Sequence, residues 1–330
     1  MTASPVLGSR RRARRSHLAA AAAAAALCAA AATPATPAAA DGDTSGGKPT
    51  VVLIHGAFAD ASSWNGVAER LERRGYTVMA PANPLRGLYN DATYISSVLD
   101  SVKGPVVLAG HSYGGAVISS AAAGHSQVKA LVYIDALMPD VGESGASLGA
   151  RFPSALGTAT RSVPYQEGHG QSGTDLYLKR DKVYPVFAAC LPESQADLLG
   201  VTQRPAATTA FSETAKVAAW KTIPSWAMIG RQDMTISPEQ ERFQARRAHS
   251  HTVEINSCHV SLIAHPDAVT DLILQAATAS GTGSAGPSLA DTGSVAPRRE
   301  LTGLGGVAGV SLVAGAGAVL VGRRLRRRSR

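Results

Sequence analysis

The chain has 330 residues and a formal charge of +8, enough length for one sizeable domain with tails. The charge is unevenly placed: residues 1–40 carry five arginines and no acid, residues 293–330 carry eight arginines and one acid, and residues 41–292 carry 19 basic against 23 acidic side chains. A mildly acidic body excludes a nucleic-acid surface as the source of the excess, and basic ends beside apolar runs are membrane-topology signals, because Lys and Arg stay on the cytoplasmic side.

At the N-terminus, arginines between Arg10 and Arg15 precede an Ala-rich apolar run, Leu18 to Ala32, followed by Pro34, Pro37 and Ala38-Ala39-Ala40. Basic, apolar and small-residue segments in that order predict a secretory signal peptide over residues 1–40, cut after Ala40. Cys28 would leave with it. Cys190 and Cys258 remain, an even number in an exported chain; a disulfide between them is permitted, and two buried free thiols fit the pattern equally well.

From residue 41 to about 278 short β-branched runs alternate with helical patterns, the sequence form of a parallel α/β sheet with crossover helices. Strands are predicted at Thr50–Ile54, Tyr76–Ala80, Val106–Ala109 and Val128–Ile134, with helices at Trp64–Arg74, Asp91–Val102 and Gly114–Ala123. Regularity stops over residues 136–218, which reads as a helical cap inserted over the sheet. Its aromatic residues Phe152, Tyr165, Tyr177, Tyr184 and Phe187 are candidates for substrate contact. Strands resume at Ser225–Ile229 and Thr252–Ile255, each followed by a helix, near Pro238–Ala248 and Pro266–Ala277.

Gly110-His111-Ser112-Tyr113-Gly114 fits G-x-S-x-G and sits between a predicted strand and a predicted helix. A sharp strand-to-helix turn projects a serine hydroxyl above the sheet, and the helix N-terminus favours negative charge developing there. Ser112 is therefore the candidate nucleophile. A serine needs a base, and the chain order for this turn is Ser, then acid, then His. His259 lies after the Thr252–Ile255 strand, at the carboxyl edge where open α/β sheets place their sites. Asp233, after the preceding strand, is the candidate acid that orients the imidazole, with Asp135 the runner-up. His55 is read as a structural part of the Gly56 turn. Oxyanion donors are assigned to the backbone N–H groups of Tyr113 and Ala57.

Val51–Ala61, Pro81–Gly87, Gly110–Gly115 and His259–Asp267 together resemble bacterial α/β-hydrolase-fold esterases, near the branch with plant methylesterases and hydroxynitrile lyases. The resemblance implies an α/β-hydrolase fold over about residues 48–278. That fold usually opens with two further strands, and only Asp41–Pro49 precede Thr50, so its N-terminal edge is expected to be trimmed. It also implies hydrolysis of small to medium carboxylic esters through an acyl-enzyme, with no metal or organic cofactor. No zinc-like His/Cys spacing is present, and Gly168-His169-Gly170 reads as a loop. The lyases of this branch carry Thr after the first-strand His and Lys after the catalytic His. Gly56 and Val260 occupy those places, which argues against lyase chemistry. Cofactor-free oxidative chemistry on the same fold and a displayed binding protein with a vestigial triad are the alternatives.

Residues 279–288 are a flexible linker by composition. Leu289-Ala290-Asp291-Thr292-Gly293, an apolar segment over 301–322 long enough to span a bilayer, and a basic tail from Arg323 to Arg330 follow in order. The series resembles a sortase sorting signal of Gram-positive bacteria, of the L-A-x-T-G kind. It implies cleavage between Thr292 and Gly293, sortase and peptidoglycan as partners, and a location on the cell wall or the outer membrane face.

Overall fold

A computed structural model of the chain describes residues 47–166, 170 and 172–281. The signal-peptide, sorting-motif, apolar-span and basic-tail segments lie outside the described residues, as do Thr292 and Gly293 and most of the linker. Among the described residues no helix is long and apolar enough to cross a membrane.

Six strands form one parallel sheet in the order β2-β1-β3-β4-β8-β9. They are β1 (Thr50–Ile54), β2 (Val78–Met79), β3 (Val106–His111), β4 (Val128–Ile134), β8 (Ser225–Gly230) and β9 (His251–Ile255). Every residue of β3 and of β8 is buried, as expected for strands covered on both faces. Among the described residues no strand lies beyond the two-residue edge strand β2.

Crossover helices α1 (Asn65–Arg73), α2 (Leu88–Asp100) and α3 (Tyr113–Ala121) follow the first three strands. Helix α1 buries Val67 and Leu71, four apart on one face. It stops at Arg74 and Gly75, the glycine taking a φ of +76°, the left-handed conformation that ends helices. Helix α1 packs with the last helix, α11 (Pro266–Gly281), and α2 packs with α3. Helix α3 is buried over nearly its whole length. A Cβ on Gly114 would strike the carbonyl oxygen of Ile54, so a side chain there would push α3 off β1.

The segment between β4 and β8 carries the short helices α4 (Gly145–Arg151), α5 (Leu156–Ala159), α6 (Arg180–Lys182), α7 (Glu193–Thr202) and α8 (Thr208–Ser212). It also holds an antiparallel sheet of β5 (Thr160–Gln166), β6 (Ser172–Leu178) and β7 (Ala206–Ala207), in the order β5-β6-β7, which the sequence reading did not anticipate. Strand β5 is mostly polar and contains Pro164, so it lacks the alternation that marks a strand from sequence. As an edge strand it tolerates the proline. Helices α9 (Pro238–Arg247), α10 (Ser261–Ala264) and α11 (Pro266–Gly281) complete the fold.

The register levels the carboxyl ends of the strands. Ile54 pairs with Gly110, Gly110 with Tyr133, and Gly230 with Ile255. The residues just past these ends, His55, Ser112, Asp135, Asp233 and His259, therefore emerge along one edge of the sheet.

Candidate active site

Ser112 sits between β3 and α3 with φ 53° and ψ −125°. That left-handed conformation costs a non-glycine residue about 1–3 kcal/mol and persists only where surroundings over-determine it. Here the Ser112 N–H donates to the Ile134 carbonyl at 3.1 Å, and the Ser112 carbonyl accepts from Gly115 and Leu137, each at 3.0 Å. The loop after β1 closes the other side. A Cβ on Gly56 would lie 2.6 Å from the Ser112 Cβ and 2.9 Å from the His111 carbonyl, so only glycine fits there.

The His259 Nε2 lies 2.8 Å from the Ser112 Oγ, and its Nδ1 lies 2.6 Å from the Asp233 Oδ2. Both imidazole and carboxylate are buried. Burial lowers the His259 pKa to about 3, so the ring is neutral: Nδ1–H donates to Asp233 and Nε2 accepts the serine O–H. The Asp233 Oδ1 accepts from the N–H groups of Thr235, at 2.7 Å, and Ile236, at 3.0 Å, which hold the carboxylate with Oδ2 against the ring. Burial pushes the Asp233 pKa upward, and these N–H donors act against it.

Asp135, the runner-up acid, does not reach His259. Its Oδ2 accepts from the Ser261 N–H at 3.0 Å, and it lies behind Asp233. His55 is engaged in the turn, as read from sequence. Its Nδ1–H donates to the Gly56 carbonyl at 2.9 Å, and its Nε2 accepts from the Asn83 N–H at 2.9 Å. Burial lowers its pKa to about 4. Tyr113 opens α3 with its hydroxyl donated to Asp91 at 2.8 Å, which leaves its backbone N–H at the helix N-terminus beside Ser112. Ala57 borders the same cavity as Ser112. Cys190 and Cys258 are joined by a disulfide, their Cα atoms 5.3 Å apart, linking the cap to the residue before His259.

A cavity of about 350 Å³ opens in front of Ser112, within the size range of small-molecule sites. Its walls include Phe58, Leu137, Leu156, Leu176, Phe211 and Ile236, and none of its lining side chains is charged. The five cap aromatics singled out from sequence are not on this wall. Phe152 packs on Phe243, Tyr165 and Tyr177 lie under Arg86 and Arg161, Tyr184 is partly exposed, and Phe187 is buried between Phe58 and His259. Phe211 was missed because α8 has no apolar period that marks which side faces the sheet.

Residues 51–272 match the Alpha/beta hydrolase family. The chain belongs to that family. Among curated relatives, the alpha/beta hydrolase nvfD of Aspergillus novofumigatus is 28% identical over 70% of this chain and 97% of its own length. The carbendazim hydrolyzing esterase of a Nocardioides species is 34% identical, over 32% of this chain and about half (48%) of the relative. Among solved structures, polyneuridine aldehyde esterase superposes with a TM-score of 0.61 at 18% identity, covering 69% of this chain and 99% of that one. An extracellular alpha/beta-hydrolase from a Paenibacillus species gives 0.56 at 21% identity, covering 69% and 99%. At that identity the two structures establish the α/β-hydrolase fold. With the esterase relatives, the family assignment supports hydrolysis of small-molecule esters in general terms.

Proposed function

We propose that the protein is a serine esterase acting on uncharged carboxylic esters of small to medium size. The observation that carries this is the continuous hydrogen-bonded line Ser112–His259–Asp233, with separations of 2.8 and 2.6 Å, facing an apolar cavity. Ser112 Oγ attacks the ester carbonyl while His259 Nε2 takes its proton. The charge on the carbonyl oxygen is met by the backbone N–H groups of Tyr113 and Ala57, which need no reorganisation at the moment of reaction. His259 then protonates the leaving alcohol. Water, deprotonated by the same ring, releases the acid from the acyl-enzyme. Asp233 holds the ring in the Nδ1–H tautomer and stabilises the imidazolium as it forms. The uncharged cavity wall favours apolar acyl or alcohol groups, since a charged one would be desolvated without a partner.

Chromogenic esters graded by acyl length, together with a fluorophosphonate probe, test the reading. The wild-type chain is expected to turn over at least one ester and to label at Ser112. Ser112→Ala is expected to lose about 10³-fold or more in kcat and all labelling, while keeping its melting temperature. Near wild-type turnover by the folded variant would refute the mechanism.

A further inference from the structure

Behind the Ser112–His259–Asp233 line lies a group the mechanism above does not use. Asp135 at the end of β4, Asp233 after β8 and Glu241 on α9 bring carboxylate oxygens within 4.8 Å of one another. All three are buried, at 0%, 2% and 3% exposure. The other ionisable groups around them bring no net compensation. His259, from the loop after β9, is neutral, and so is His111 against it, whose pKa burial holds well below the usual value. Arg242, the next residue on α9, gives its guanidinium to Glu254 of β9 in two bonds of 2.8 Å. Three adjacent buried carboxylates without a cation cannot all be ionised.

The hydrogen bonds decide where the charge rests. Asp233 receives three N–H donors, from Thr235, Ile236 and His259. Asp135 receives the Ser261 N–H on one oxygen at 3.0 Å, with the Ser261 hydroxyl and the Gly230 N–H acting in the same direction, and neither oxygen of Glu241 is bonded by a protein atom. Donors favour the carboxylate form, and the short bonds to Asp233, 2.6 Å from His259 and 2.7 Å from Thr235, place the charge there. We propose that Asp135 and Glu241 are positioning residues held as uncharged carboxylic acids, whose O–H groups turn into the cluster and fix Asp233 as its single anion, aimed at His259. Burial pushes the acidity of both residues well above the usual carboxylate range, and the neighbouring carboxylates push it further in the same direction.

The sign of the linkage gives the test. A carboxyl whose folded pKa exceeds its unfolded value of about 4 binds a proton in the native state that the unfolded chain releases. Stability therefore falls as pH rises from about 4 towards the folded value. An amide does not titrate and still supplies an N–H. Asp135→Asn and Glu241→Gln are expected to melt progressively higher relative to wild type as pH is raised from 4 to 8, while Asp135→Ala and Glu241→Leu, which supply no donor, are expected to lower kcat at pH 7 with KM unchanged. The infrared spectrum of wild type at pH 7 is expected to show the carbonyl stretch of buried protonated carboxyls, diminished in each variant. That measurement does not depend on the variants' stability. The proposal is overturned if the amide variants melt progressively lower than wild type with rising pH, or if wild type lacks the protonated-carboxyl band. A shift of the wild-type melting temperature by a chelator or by added calcium would also overturn it, because a cation would then hold the charge. Only the kcat reading rests on the esterase assignment; the melting and infrared readings stand if no ester is turned over.

Discussion

His259 can act as a base only while it is neutral, and burial is what keeps it so. With its pKa lowered from 6.5 to about 3, the ring stays unprotonated well below the usual histidine range. The acid limb of kcat/KM is therefore expected below pH 6.5, since activity is lost only as protonation removes the Nε2 lone pair. A limb at or above 6.5, measured on a neutral ester across pH 4 to 9, would contradict this burial argument. Asp233 and Asp135 differ in the same experiment. Asp233→Asn replaces the acceptor at Nδ1 with a group that can force the wrong tautomer, and is expected to cost about 10⁴-fold in kcat. Asp135→Asn, at a carboxyl bonded to the Ser261 N–H and not to His259, is expected to cost little. The sequence placed both acids at strand ends and put Asp233 first; the 2.6 Å contact with His259 is made by Asp233 and not by Asp135.

At the scale of elements, strands such as Thr50–Ile54 and Val128–Ile134 were legible to the residue, because a parallel strand buried on both faces must be a continuous apolar run. Strand β2 shrinks from the expected Tyr76–Ala80 to Val78–Met79, since an edge strand pairs only as far as its one neighbour allows. The cap was legible as an interruption but not as a sheet, because β5 and β6 are joined by register rather than by pattern. The cap is also tied down covalently. The Cys190–Cys258 disulfide spans a sequence separation of 68 residues, and disulfides typically contribute about 2–4 kcal/mol. Cys190→Ser is expected to lower unfolding stability by that order in denaturant titration. Because Cys258 adjoins His259, mild reduction is expected to lower turnover at denaturant concentrations where the domain is still folded. Equal activity of the oxidised and reduced protein would detach the bridge from the site.

For the whole molecule, the excess of basic charge sits at the two ends of the sequence, and we propose that the C-terminal end serves attachment to the cell wall. The Leu289–Gly293 motif, the apolar stretch 301–322 and the tail Arg323–Arg330 support covalent attachment to peptidoglycan through Thr292. A tail of six arginines in eight residues resists translocation, which would leave the motif just outside the membrane within reach of a sortase. Muralytic digestion of cell walls is the check. Release of protein ending at Thr292 with a wall fragment supports the attachment, whereas recovery in detergent with the arginine tail intact points to a plain membrane anchor. The G-x-S-x-G turn, the strand-end positions of Asp233 and His259 and the expectation of an α/β sheet were all decided by local sequence. Each depends on residues near one another in the chain or on a short repeating period. What only the tertiary structure decided depends on residues far apart. It selected which acid reaches His259, which cap side chains line the cavity, and which cysteines meet. It also gathered Asp135, Asp233 and Glu241 into one buried cluster, because sheet register and helix packing, rather than any period in the sequence, bring the ends of β4 and β8 against α9.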